Sequence, residues 1–159
     1  MRVVGKPVQR NDALEKVLGR TNYVDDMGLQ GMLHAVTVRS PKPHIFIKRL
    51  DTSRAEKVPG FVRMVTHADV PGKNAVPLVM TDHPVFAESE CRFLGEAIAL
   101  VVATTPEAAK AAAEAVVVEY EELPAVTDPL EAMHPDAPRL HGEDNVFKKF
   151  QVLRGDADA

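Results

Sequence analysis

Six histidines, one cysteine and several runs of acids are the side chains here with chemical potential. The histidines are His34, His44, His67, His83, His134 and His141. No two of them fall four residues apart, the spacing that sets two imidazoles on one helix face, and none lies in an HExxH run. A metal site would therefore need residues that converge only in three dimensions, and scattered structural or surface histidines are the simpler expectation. The acids cluster at Asp25-Asp26, at Glu88 and Glu90, and from Glu119 to Glu122. Paired carboxylates act as acid and base only where a pocket drives their pKa values apart. Glu121-Glu122 follows a predicted strand in a turn, so solvated surface charge is expected there. Arg92 beside Cys91 favours a thiolate, but no histidine or acid is fixed next to the thiol by sequence, and a buried, inert cysteine is the better expectation. One thiol makes no internal disulfide and holds no cysteine-ligated iron–sulfur cluster or zinc finger. Glycines form neither GxGxxG nor a P-loop, and Gly95 stands alone. Arg39-Ser40 has the residue types of an anion site, although an arginine before a proline turn ordinarily anchors the loop.

The elements that would position these groups follow from periodicity and punctuation. Met1 to Arg10 is a lead-in without clear period. Asn11 or Asp12 is placed to cap a short helix bearing Ala13, Leu14 and Val17 on one face, with Gly19 as its stop. Tyr23 to Asp26 reads as an extended piece before a turn at Gly28. Met32 to Val38 is predicted as a largely buried strand, Ser40 to Pro43 as a turn, and Ile45 to Ile47 as a returning strand, together a β-hairpin. Asp51 to Ser53 caps a short helix over Arg54 to Lys57, ended by Pro59-Gly60, and Phe61 to Thr66 is a strand. Ala68 to Ser89, with prolines at 71, 77 and 84, reads as a long loop with one short extended piece near Val79. Loops of that length are uncommon in compact domains and often serve contact with something else. Arg92-Phe93-Leu94 leads to a tight turn at Gly95-Glu96. Ile98 to Ala103 is a continuous apolar run, the mark of a fully buried strand. Thr105-Pro106 opens a helix that runs to Ala115, and Val116 to Tyr120 is again a strand. Leu123 to Val126 is an extended exit, Asp128 caps a last short helix over Pro129 to Met133, and residues 135–159 are irregular apart from Val146 to Leu153.

This order predicts one α+β domain over residues 1–159, with short helices packed on a mixed sheet. Hydrophobic residues make up 45 % and tryptophan is absent, so Val, Leu, Ile, Ala and Met must build the core. At this length no staple is required. A formal net charge of −4 argues against a nucleic-acid partner, because such binders gather a basic surplus on one face. No stretch nears the roughly 20 apolar residues of a membrane span, and the first residues lack the apolar core of a signal peptide. A cytoplasmic protein with no membrane contact is expected.

Several segments, taken in order, resemble one family. Asp12-Ala13-Leu14-Glu15-Lys16-Val17-Leu18-Gly19, with Tyr23, Asp25 and Asp26, is similar to the opening of the large subunit of molybdenum hydroxylases of the xanthine dehydrogenase and aldehyde oxidase type. Gly31-Met32-Leu33-His34-Ala35, then Arg39-Ser40-Pro41 and Pro43-His44, resemble its next stretch, as do Asp51, Ala55, Pro59-Gly60-Phe61 and Asp69-Val70-Pro71. Arg92 to Ala99, Glu119 to Pro124, Ala137-Pro138, His141, Asn145-Val146 and Gly155-Asp156 complete the pattern. Ile45 and Phe46 depart from it where alanine is common, and Cys91 where an apolar or basic residue is usual.

The resemblance implies an α/β hammerhead fold, the module that opens the molybdenum-binding subunit. In the family, later domains hold the molybdopterin and a glutamate base. A metal-bound, water-derived hydroxyl is inserted into a C–H bond of a heteroaromatic or an aldehyde, and electrons leave through iron–sulfur clusters and often FAD. The pterin and base motifs lie far downstream, so the chain would be a fragment or a split-off subunit, inactive alone, with no catalytic, cofactor-binding or metal residue of its own. Its implied role is docking, against the molybdopterin-binding domain or subunit and the iron–sulfur subunit. Arg39, Ser40, Pro43, His44, Gly95 and Glu96 are the candidate interface or loop-anchor residues, together with the loop 68–89. For Gly95 the plainer expectation is a positive-φ turn, and for Arg39 and His44 a tie across the turn. The rival function is an independent small-molecule or metal-binding protein reusing the fold, which needs the histidines to converge.

Overall fold

The computed structural model describes residues 4–77 and 81–155. The extended piece expected near Val79, and Asp156, lie outside the described residues. The chain divides into two compact units, Met1–Met32 and Leu33–Ala159.

The first unit holds helix α1, Ala13–Val17. Asp12 stands at its N-cap as expected, but its side chain does not cap. Arg10 binds the carboxylate through two bonds of 3.1 and 3.0 Å, and Lys16 Nζ lies 2.6 Å from it. Lys16 first and Arg10 second hold the Asp12 carboxyl below its ordinary range. Gly19 ends the turn at φ 66°, the left-handed stop that glycine supplies. Residues 24–26, expected to be extended, form a 3-10 turn, because the Asp26 carboxylate accepts the Tyr23 N–H at 2.9 Å and closes the turn locally.

The second unit is built on two three-stranded sheets. Strands β1 (His34–Arg39), β5 (Ala97–Ala103) and β3 (Phe61–Val65) form one, with β5 central. Strands β4 (Glu90–Cys91), β2 (Ile45–Asp51) and β6 (Val117–Glu122) form the other, with β2 central. Every pairing is antiparallel. The α+β class stands, but the one mixed sheet expected is two antiparallel sheets. The expected hairpin between β1 and β2 does not form either. Pro41 and Pro43 lack the N–H groups that would close it. Instead Ser40 donates to Glu96 O at 2.8 Å and Gly95 donates to Ser40 O at 3.0 Å, so the end of β1 stays with the approach to β5. Ile45 then enters the other sheet. β1 is also less buried than expected, with Val38 its one buried residue.

Helix α2, Pro106–Ala115, joins β5 to β6 and packs on β1 and β5. Its start is as predicted: Pro106 fits the first turn, and the Thr105 hydroxyl accepts the Ala108 N–H at 3.1 Å. Ala109 and Ala112 are fully buried, and their small side chains let the helix backbone approach the sheet. Ala99 and Val101 of β5 meet Ala112, Val38 and Ala55 in one core cluster. Ile98, which points from β5 to the opposite side, joins Ile45, Ala87 and Cys91 in a second. Val118 touches both. Helix α3, Pro129–Ala132, begins as expected, with Asp128 Oδ1 accepting the N–H groups of Leu130 and Glu131. Residues 146–154 form no regular structure.

Candidate functional site

Four of the six candidate residues, Arg39, Ser40, Gly95 and Glu96, are tied to one another. Arg39 Nη1 donates to Gly95 O at 2.8 Å. The register of β1 on β5 slips by one residue at Val38/Arg39, a bulge that re-aims the end of the strand where that guanidinium sits. Ser40 exchanges backbone bonds with Gly95 and Glu96, and its hydroxyl donates to Lys42 O at 2.7 Å, tightening the proline turn. Glu96 is buried and accepts the Arg92 N–H at 2.6 Å, closing the Arg92–Glu96 turn upon itself. Gly95 sits at φ 83° with open space where a Cβ would be, so its need is conformational, not a close approach. Pro43 is half-buried and makes none of these polar ties.

His44 works at the other end of the turn. It is buried, Nδ1 lies 2.6 Å from Pro124 O, and Nε2 lies 2.7 Å from Glu90 Oε1. Its carbonyl also accepts the Leu123 N–H at 3.0 Å. Glu90 is thus a partner that sequence spacing did not single out, because it stands 46 residues from His44. Arg39 and His44 thus each bind a backbone carbonyl distant in sequence, Gly95 O and Pro124 O.

The turn they hold presents Phe93 and Leu94 at its tip, 44 % and 66 % exposed. His83, from the loop 68–89, stacks on Phe93 with ring centres 6.0 Å apart. Inside that loop Asn74 binds both the carbonyl and the N–H of Phe86, and Val76 pairs with His83. Asn145 is a second residue missed by spacing. It adopts φ 58°, a left-handed conformation that asparagine tolerates. Its side chain makes four bonds, to Leu140, His141, Ala132 and Pro138.

Cys91 is fully buried, and desolvation first, with Glu96 second, pushes its thiol up to about 11. Arg92 does not activate it, and the expected inert thiol is what the fold provides. Among the described residues no three His, Cys, Asp or Glu side chains converge as a metal site would require. No helix among them is long and apolar enough to cross a membrane.

The antiparallel sheets with their short helices match solved structures of larger enzymes. An aldehyde oxidoreductase from Desulfovibrio desulfuricans superposes with a TM-score of 0.80 at 33 % identity, over 89 % of this chain and 17 % of that one. A reconstituted CO dehydrogenase from Oligotropha carboxidovorans gives 0.78 at 37 % identity, over 84 % and 17 %. The class is therefore the hammerhead domain of molybdenum hydroxylases. The family model for the aldehyde oxidase and xanthine dehydrogenase a/b hammerhead domain matches residues 18–124, and the chain belongs to that family. A probable xanthine dehydrogenase subunit of Bacillus subtilis is 40 % identical over 98 % of this chain and 21 % of its own length. The nicotinate dehydrogenase large molybdopterin subunit of Eubacterium barkeri is 35 % identical over 99 % and 37 %. The chain thus spans 21 % and 37 % of the length of these two curated relatives.

Whether residues here suit the molybdopterin group in such names is decided by charge. A cavity of about 470 Å³ under the loop 68–89 is lined by Asp82, Glu88, Glu90 and Glu96, with Arg92 its one cation. A phosphate-bearing pterin would meet net negative charge there, so these residues do not fit it.

Proposed function

We propose that this chain is a structural and docking module of a molybdenum hydroxylase, packing on the molybdopterin-binding domain or subunit and on the iron–sulfur subunit. The parent enzyme would hydroxylate a heteroaromatic or aldehyde carbon with water-derived oxygen and pass electrons to iron–sulfur clusters and FAD. A cytoplasmic setting belongs to the same reading.

The observation that carries the reading is apolar surface left over after the core has closed. The two buried clusters are complete, yet Leu94, Leu130, Met133, Phe150, Val152 and Leu153 are 55 % to 91 % exposed. Single exposed leucines are ordinary, but so many large apolar side chains left out at the Leu94 turn, on α3 and its C-cap and along residues 150–153 are in keeping with contact surface. Arg39, Ser40, His44, Gly95 and Glu96 serve it indirectly. Their polar groups are spent within the chain, and what they hold out is the Phe93-Leu94 tip. Pro43 shapes the same turn.

The test is assembly. Co-expressed with the remaining segments of its enzyme, the chain is expected to co-purify in a stoichiometric complex with activity. A Phe93→Ser/Leu94→Ser variant should fold and assemble at least tenfold more weakly, the loss of about 1.4 kcal/mol. Turnover by the purified chain alone, or failure of the intact chain to bind those segments, would overturn the reading.

A further inference from the structure

We propose that residues 147–154 of one copy of this chain seat in a groove beside α3 of a second copy, and that the exchange is reciprocal. The groove has a volume of about 590 Å³. Its lining is mostly apolar, with Val126, Leu130 and Pro138 among it, and its polar members are Glu131, His134 and Asp136. Among the described residues Glu131 has no ion-pair partner, and Asp136 meets only His134, at 3.7 Å. The segment 147–154 has the opposite character. It carries Lys148, Lys149 and Arg154 and no acid. Its apolar side chains, Phe147, Phe150, Val152 and Leu153, are 53 % to 91 % exposed. Among the described residues none of its cations is in an ion pair, and its peptide groups make no backbone hydrogen bond. Lys148 lies over the Phe150 ring, 4.7 Å from its centre. Groove and segment therefore complement each other twice, in apolar surface and in charge.

The segment does not line the groove of its own chain. It leaves from Asn145, whose amide donates to Ala132 O at 2.9 Å and to Pro138 O at 2.8 Å, so its root is fixed at the groove wall. A root beside the groove makes an exchange short. Two copies related by a two-fold axis bring their grooves face to face, and each segment crosses to the other groove. Both segments and both grooves are then used, so the contact closes at two copies. Leu130, a groove residue 74 % exposed, is covered in the same step. Arg139, close to the groove in sequence, donates to Pro135 O at 2.7 Å and pairs with neither Glu131 nor Asp136, so the acids stay open to a cation from outside. The tip at Phe93 and Leu94 takes no part, and the exchange does not rest on the docking reading.

The test is sedimentation of the 159-residue chain over a wide range of protein concentration. A dimer that dissociates on dilution and weakens with added salt is expected. Reversing the segment (Lys148→Glu/Lys149→Glu) or the groove (Glu131→Lys/Asp136→Lys) should each weaken dimerisation by at least about tenfold, because like charges then face each other. All four side chains are exposed, so both reversed chains should keep the fold, which circular dichroism checks. Mixed together, the two reversed chains should form a one-to-one heterodimer, since every segment then meets a groove of opposite charge. Should either fail to fold, Phe150→Ser/Val152→Ser takes its place and should weaken the wild-type dimer likewise. A chain monomeric at every concentration, a dimer indifferent to these substitutions, or folded reversed chains that stay apart when mixed would overturn the proposal. A monomer that still co-purifies with the remaining segments of its enzyme would sink the exchange and leave the docking reading standing. A dimer that ignores those segments would do the reverse.

Discussion

The two sheets have the same number of strands and are held in different ways. In β1-β5-β3 the central strand is a continuous apolar run, and α2, which follows it directly in the chain, lies on it. Its cohesion is contact between side chains that hydrophobic pattern already pairs. In β4-β2-β6 the outer strand β4 has two residues, and polar ties make up the difference: distant ones from His44 to Glu90 and Pro124, and a local one from Glu96 to the Arg92 N–H just after β4. Apolar packing yields gradually when trimmed, whereas a buried polar tie leaves an unpaired group when one partner goes. The first sheet should therefore tolerate volume-conserving changes, and the second should be sensitive to single polar ones.

Ile98→Ala tests where the sheets depend on each other. Ile98 is fully buried, lies on β5 and packs with the cluster of the other sheet. Its truncation should cost about 2–5 kcal/mol in denaturant unfolding, with one cooperative transition. Two separated transitions would mean that the sheets are independent.

Glu96→Ala removes the acceptor of the Arg92 N–H from a buried position and should cost about 1–3 kcal/mol. Hydrogen exchange should quicken at residues 91–96 and stay unchanged in α2. Equal quickening in α2 would erase the distinction between the sheets. Gly60→Ala probes the first sheet at its one backbone-critical glycine. Gly60 lies at φ 90°, and a Cβ would come within 2.7 Å of Thr104 Oγ1 and 3.2 Å of Ala108 Cβ. Strain and clash together should cost about 1–3 kcal/mol, and Thr104→Ala in the same chain should recover part of it. Thr105→Ala, which deletes the α2 cap, should cost about 1 kcal/mol by thermal or denaturant unfolding.

The smallest effect at neutral pH belongs to Cys91. Its thiol titrates near 11 in the fold against 9.0 for an ordinary thiol. The unfolded chain therefore ionises first, so the stability this group supplies is fully present below pH 9 and is lost as pH climbs toward 11. Cys91→Ala should remove that part of the alkaline slope. Alkylation of the native wild type at pH 8 should be far slower than in denaturant, and fast native alkylation would show the second sheet to be open.

Local order was readable where neighbours in the chain decide it. The apolar run at β5, the Thr105-Pro106 start of α2 and the Asp128 cap of α3 each depend on residues within a turn of one another. Asp12 shows the limit of such reading: its residue type suits a cap, but Arg10 and Lys16 claim the carboxylate first. The candidate turn residues and Asn145 were visible through resemblance, whereas Glu90 carried no local signal of its role, since a surface acid and a buried partner look the same in sequence.

From the sequence alone came the α+β class, the family and most of the longer helices and strands, because propensity, capping and hydrophobic period act over a few residues. Tertiary structure alone decided that β1 and β2 part into separate sheets, and that the tie at His44 runs to groups 46 and 80 residues away. Those choices rest on which distant surfaces bury each other and which buried donors find acceptors, and neither is written in the order of adjacent residues.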